Sequence, residues 1–165
     1  MRSPFFHILL TAFLVGFFAL SLYDVKHVEG SSMYPTLRNR ETVIVYRWAY
    51  GLQLPFIQRY LIRWSRVKPG DLVFFQDPVY EEPVVKRCVA GERTLIIRNG
   101  EGMVIGEEQL TWSEVKTDQF CTLSSVPLGK IFLLGDNRTI SFDSRYYGFV
   151  EEKDIEGRVI RFWKW

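Results

Sequence analysis

Residues 84–105 read VVKRCVAGERTLIIRNGEGMVI. Val84 to Ala90 is a run of β-branched and apolar residues broken only by Lys86-Arg87, and Gly91 ends it. Thr94 to Arg98 and Met103 to Ile105 follow, joined by Asn99-Gly100-Glu101-Gly102. Asn-Gly between two apolar runs is a hairpin signal, because both residues tolerate the positive φ of the favoured turns. The stretch predicts three short strands, and its neighbours repeat the pattern. Asp71 to Phe75 (DLVFF) is entered by the turn Lys68-Pro69-Gly70. Glu41 to Arg47, Lys130 to Leu134 and Gly157 to Trp163 read the same way. Short strands with turn residues between them imply a mostly β domain, an antiparallel sheet or barrel-like core.

One stretch stands apart. Residues 50–66, YGLQLPFIQRYLIRWSR, interleave Tyr50, Phe56, Tyr60 and Trp64 with Arg59, Arg63 and Arg66. It reads as a helical or loop excursion that either packs on the sheet or rests on lipid headgroups, where aromatic rings and Arg both fit.

Ahead of the β-rich part, Phe5 to Tyr23 carries no Asp, Glu, Lys or Arg. As a helix it would span roughly 28 Å, close to the hydrocarbon thickness of a bilayer. The run is longer than the apolar region of a cleaved leader, although Ala19-Leu20-Ser21 would pass as a small-x-small cleavage site. The expectation is a single transmembrane anchor over residues 1–24 and a catalytic domain over residues 25–165. Arg2 before the run and Lys26 after it leave only a small charge bias for orientation. From Tyr23 to Ser32 the chain would form a tether of at most roughly 30 Å when extended.

Composition excludes several classes. The formal charge is +2, from 21 basic and 19 acidic side chains, too small an excess for a bulk nucleic-acid binder. Cys88 and Cys121 are too few for a disulfide framework; two free thiols are expected, with one disulfide between them the alternative in an oxidising compartment. His7 and His27 lie far from both, so no zinc site forms, and no Gly-rich phosphate loop is present. No metal and no cofactor is expected.

The chemistry centres on Gly30-Ser31-Ser32-Met33-Tyr34-Pro35-Thr36. A serine needs a base to become a nucleophile. His7 sits in the apolar run and His27 is too close in sequence to fold back, so a Ser-His-Asp triad has no base. Lys86, between Val84-Val85 and Cys88, is the conspicuous substitute. Burial without a carboxylate partner pulls a lysine below its ordinary pKa of about 10.4, towards a neutral amine that accepts a proton. Cys88 shares the lysine's face of a strand and would help keep it dry.

Three segments, in order, resemble the bacterial type I signal peptidase family. Ser32-Met33-Tyr34-Pro35-Thr36 is similar to its nucleophile box. Lys86-Arg87, preceded by Pro69-Gly70-Asp71, is similar to its general-base box. Gly135-Asp136-Asn137-Arg138, Ser141-Phe142-Asp143-Ser144-Arg145 and Gly148-Phe149-Val150 resemble its third signature. Trp48-Ala49-Tyr50-Gly51 also fits the family's run after the first strand.

The resemblance implies an extracytoplasmic β-rich catalytic core on a single-pass membrane anchor. The fold would carry a serine endopeptidase that removes signal peptides through a Ser-Lys dyad and an acyl-enzyme. Its partners would be exported preproteins, the bilayer and the secretion translocon, with no nucleic acid. By resemblance Ser32 is the nucleophile, Lys86 the base and Ser141 the hydroxyl that orients it. Asp143 and Arg145 form a supporting ion pair, and Asp136 and Asn137 shape the turn beneath. Gly30, Met33, Leu37, Val84, Val85, Leu133 and Leu134 are expected around the oxyanion hole and the substrate pockets. Some family members place a serine where Gly30 stands, so backbone N–H groups must serve the oxyanion here. The alternatives are a maturation peptidase dedicated to one or a few exported substrates, or a non-catalytic tethered β domain that binds exported segments.

Overall fold

The computed structural model describes residues 4–53 and 60–161. Helix α1 (Pro4–Leu22) runs directly into strand β1 (Tyr23–His27), followed by β2 (Thr42–Tyr46), β3 (Gly51–Gln53), β4 (Tyr60–Arg63), β5 (Leu72–Gln76) and β6 (Pro83–Ala90). Then come β7 (Ile96–Arg98), β8 (Gly102–Ile105), β9 (Glu108–Thr111) and β10 (Lys130–Leu134). A single helical turn, α2 (Ser144–Tyr147), precedes β11 (Val150–Glu151) and β12 (Ile155–Arg161).

Seven strands form one antiparallel sheet in the order β1-β2-β12-β5-β6-β10-β11. It is open, with β1 and β11 at its edges, rather than a closed barrel. The central strand β5 is buried over Val73, Phe74 and Phe75, as a strand covered on both faces must be. Val73 and Phe75 join Cys88, Leu133 and Ile155 in one core cluster, whereas Phe74 packs with Met33, Leu37, Val43 and Val85 in another. That alternation gives Lys86, paired opposite Val73, its place inside the sheet.

Asn99 closes the β7–β8 hairpin as expected, its Oδ1 accepting from Glu101 N at 3.0 Å and Gly102 N at 2.8 Å. With β9 these strands make a small second sheet over a core of Ile96, Met103, Ile105, Leu110, Phe120 and Phe132.

Three expectations need correction. In the stretch 50–66, Gly51–Gln53 and Tyr60–Arg63 form an antiparallel strand pair, β3 with β4, rather than a helical excursion, and residues 54–59, with Phe56 and Arg59, lie outside the described residues. Part of it is core: Tyr50 is buried and its hydroxyl donates to Asp71 Oδ2 at 2.9 Å, while Tyr60 donates to the Ile155 carbonyl at 2.7 Å. Leu61, Ile62 and Trp64 are exposed. The tether from Tyr23 to Ser32 is not free chain either, because Tyr23 to His27 pair with Tyr46 to Thr42. The closing strand begins at Ile155, earlier than the sequence suggested, and Phe162 and Trp163 fall outside the described residues.

Helix α1 covers 19 residues, PFFHILLTAFLVGFFALSL. Among the described residues no helix is long and apolar enough to cross a membrane. The side chains at 4, 14, 17, 19 and 20 are not among those described, and the full α1 sequence contains no Asp, Glu, Lys or Arg.

Candidate active site

Ser32 stands half-buried on the turn that follows β1. Tyr34 N donates to Ser31 O at 3.1 Å and Leu37 N to Met33 O at 2.8 Å, closing the turn. Met33 and Leu37, 1% and 0% exposed, plug it into the core and leave Ser32 at the surface end. Gly30 has φ +83, a conformation that L side chains rarely adopt, which gives a physical reason for glycine at this position.

Lys86 is 3% exposed on β6, and its Nζ donates to Ser141 Oγ at 3.1 Å. Among the described residues no hydrogen bond joins Nζ to Ser32 Oγ. Burial pushes this amine below the ordinary lysine range. The carboxylates of Asp143 and Asp77 pull it back up, and the Arg145 guanidinium pushes it down.

Two turns bring Ser32 and Ser141 to one place. Asn137 N donates to the Ser32 carbonyl at 2.9 Å, and Ser141 N donates to Asn137 O at 3.0 Å. Between them Gly135 is the point of closest approach: a Cβ there would fall on Ser141 Oγ and lie 2.7 Å from the Ser32 carbonyl oxygen. Any side chain at 135 would push the two serines apart.

The Ser141 loop is stapled from beneath. Arg145 grips the fully buried Asp143 with Nε to Oδ1 at 2.9 Å and Nη2 to Oδ2 at 3.0 Å. Asp143 Oδ2 also accepts from Gly135 N at 3.0 Å, and Arg145 Nη2 donates to the carbonyls of Arg138 and Ser141 at 2.7 and 3.2 Å. The expected ion pair is therefore also a clamp on the backbone at both ends of the loop.

A second fork was not foreseen from the residues. Arg87 holds Asp136 through Nε–Oδ1 at 2.8 Å and Nη2–Oδ2 at 2.7 Å. The same guanidinium reaches Gly70 O at 3.0 Å and Thr36 Oγ1 at 3.3 Å. It ties the Ser32 turn, the start of β5 and the Gly135 turn together. Burial alone would raise Asp136, but Arg87 and Thr36 hold its carboxyl below the usual range. The alternation of strand residues hides this role, since Arg87 reads as the outward partner of Lys86.

Beside Ser32 lies a cavity of about 50 Å³ whose walls include Met33, Val43, Phe74, Val84 and Val85. Met33, Val84 and Val85 were expected there. Gly30 and Leu37 are not among its lining residues. Leu133 and Leu134 are 0% exposed and belong to two different core clusters, so their place is in the core rather than at a pocket wall. A larger cleft of about 830 Å³, between Trp64, Arg66, Arg93 and Leu128, includes no residue of this site. Both cysteines are free, Cys88 buried next to the lysine's face and Cys121 exposed.

A half-buried serine, a buried amine and a small cavity with both apolar and polar walls meet on an antiparallel β scaffold, an arrangement that a serine endopeptidase can use. The chain belongs to the family described as signal peptidase, peptidase S26, which matches residues 2–164. It is similar to a signal peptidase I of Bacillus caldolyticus, 30% identical over 98% of this chain and 90% of that one. A signal peptidase I of Leptolyngbya laminosa is 28% identical over 85% of this chain and 68% of its own length. A chloroplastic thylakoidal processing peptidase of Arabidopsis thaliana is 30% identical over 88% of this chain and 44% of its own. A crystal structure of a signal peptidase I from Enterococcus faecalis overlaps 57% of this chain at 29% identity, with a TM-score of 0.39.

Proposed function

We propose that this chain is a membrane-anchored endopeptidase that removes signal peptides from exported preproteins through a Ser32–Lys86 dyad. The observation that carries the reading is the Lys86 amine, buried in the sheet and held by Ser141 Oγ. A desolvated amine is neutral over a wider pH range, and only a neutral amine can take the serine proton.

In this reading Ser32 Oγ attacks the scissile carbonyl as Lys86 Nζ takes its proton. The Ser32 N–H faces the oxyanion. Lys86 then gives the proton to the departing amine, leaving an acyl-enzyme. Water, deprotonated by the same amine, hydrolyses the ester and restores Ser32. Ser141 fixes the amine's direction throughout. The 50 Å³ cavity admits an alanine-sized side chain before the cut and excludes larger ones by overlap.

Helix α1 serves as the anchor, with the catalytic domain on the extracytoplasmic face of the plasma membrane. In support, Phe5, Phe6, Ile8, Leu9, Phe13 and Val15 all stand exposed on it, as lipid-facing side chains would. Leu61, Ile62 and Trp64 extend the apolar surface. Delivery by the secretion translocon fits this placement. The test is cleavage of an exported preprotein by the full chain in lipid. Wild type releases the signal peptide and Ser32→Ala does not; cleavage by Ser32→Ala at the wild-type rate would overturn the reading.

A further inference from the structure

The loop that presents Ser141 to Lys86 is also held from outside, by the small second sheet. Arg138 lies in this loop, and its Nη2 donates to Glu108 Oε1 at 2.8 Å. Glu108 is the first residue of β9 and follows the two-residue turn Gly106-Glu107. It pairs with Ile105, which is fully buried in the core of the second sheet.

Glu108 stands on a fixed base. A Cβ added at Gly106 would lie 3.0 Å from the Val89 carbonyl oxygen, so the turn before Glu108 presses on the strand that carries Lys86. Further along, Lys116 N donates to the Arg145 carbonyl at 2.7 Å, and Glu114 Oε1 stands 3.8 Å from Arg145 Nη1. The second sheet and the segment after it therefore meet the Ser141 loop at Arg138 and at Arg145.

The path from Arg138 to the amine is short. Its carbonyl accepts from Arg145 Nη2 at 2.7 Å, and the same nitrogen donates to the Ser141 carbonyl at 3.2 Å. Ser141 Oγ in turn accepts from Lys86 Nζ at 3.1 Å. A shift of Arg138 thus reaches the hydroxyl that aims the amine, through two hydrogen bonds on one guanidinium nitrogen. Arg138 and Glu108 are 31% and 32% exposed at the side chain, so their pair adds little to stability. Its worth lies in geometry.

We propose that Glu108 is a positioning residue for the Lys86–Ser141 pair, acting through Arg138 from a separate sheet. The inference rests on the peptidase reading and deepens it. Without the Glu108 carboxylate the Arg138 side chain is released, the Ser141 hydroxyl loses its fixed direction, and water reaches the amine. Asp143, Asp77 and Arg145 face Lys86 as before. Burial is the chief cause that lowers this amine's pKa, and burial is what relaxes. The amine moves back towards the ordinary lysine range, so less of it is neutral at a given pH.

The experiment compares wild type, Glu108→Gln, Arg138→Gln and the double variant, each as the full-length protein in detergent micelles. The substrate is a peptide with a small-x-small segment before the cut. Glu108→Gln lowers kcat about fivefold, with KM within about twofold of wild type and Tm nearly unchanged. The acid limb of kcat/KM, which reports the free enzyme's base, moves up by about half a pH unit. The double variant is no slower than either single one, since each removes the same contact. Wild-type kcat with an unmoved limb in Glu108→Gln overturns the proposal. So do losses that multiply in the double variant, or a fall in Tm with the limb unmoved, which makes the pair structural alone. A wild type that cuts nothing overturns the peptidase reading. The Lys86 titration, followed by NMR of its labelled Cε carbon, then decides the positioning by itself: a midpoint that stays put in Glu108→Gln overturns it.

Discussion

Lys86 is a charged residue type in a buried place, and its removal separates chemistry from stability. Its folded-state pKa is depressed, chiefly by burial. Between the lowered folded-state pKa and the unfolded value of about 10.4 the unfolded chain binds more protons at this group, so stability rises with pH across that window. Lys86→Met should therefore abolish cleavage yet raise Tm at neutral pH, and the gain should shrink as pH approaches the ordinary lysine value. A Tm below wild type at pH 7 would mean that the Ser141 bond outweighs the burial cost. Activity has the same sign: it should fall on acidification with a limb below a free lysine's pKa, and Lys86→Arg should be inactive because guanidinium stays protonated. Ser32→Ala with Lys86→Ala should be no slower than either alone, each losing at least about 10³-fold. Tyr147 offers a contrast without chemistry. Its buried hydroxyl has no hydrogen-bond partner among the described residues. Tyr147→Phe should stabilise the fold by about 1 kcal/mol, read by urea titration, and a loss of that size would show that the hydroxyl is satisfied in solution.

Two arginine forks hold the turns that carry the site, and they differ in depth. Asp143 and Arg145 are 0% and 4% exposed at the side chain, whereas Arg87 and Asp136 are 30% and 13% exposed. The outer fork is partly screened, so its energetic worth is modest, but it touches Thr36 in the Ser32 turn. Arg87→Lys keeps the charge and loses the bidentate geometry. It should lower kcat about tenfold with a Tm change of only a few degrees; a large Tm loss with unchanged kcat would make the fork purely structural. The Lys86–Ser141 contact and the Asp143–Arg145 pair were legible because these residues sit in short motifs whose register survives folding. The strands were legible where β-branched runs end at Gly or Asn-Gly, as at Val84–Ala90 and Lys130–Leu134. Strand β1 was not, because Tyr23-Asp24-Val25-Lys26-His27 is an edge strand with a half-polar pattern that looks like linker. Hairpin β3–β4 was missed because its aromatic and Arg residues face both core and solvent. Leu133 and Leu134 were misplaced because two adjacent leucines in a strand point to opposite faces, and here both faces are core.

At the scale of the whole molecule, α1 passes into β1 with no residue between Leu22 and Tyr23. The strand then pairs along its full length with β2, and Phe18 of the helix meets Trp48 edge-on at 5.7 Å. Helix direction, sheet and Ser32 turn are thus coupled mechanically rather than by a slack tether. In the anchored reading this fixes the height of Ser32 above the bilayer, where the end of a substrate's own apolar helix emerges. Inserting a flexible Gly-Ser segment of about ten residues between Leu22 and Tyr23 would let the domain drift, since such a chain explores roughly 15–20 Å. The insertion leaves the sheet, the forks and the dyad untouched. Cleavage of a short soluble peptide should stay at the wild-type rate, while cleavage of a membrane-inserted preprotein should fall about tenfold as effective concentration drops. Equal rates on the inserted preprotein would show that β1 sets no height and that the direct join of helix to strand is a packing feature alone.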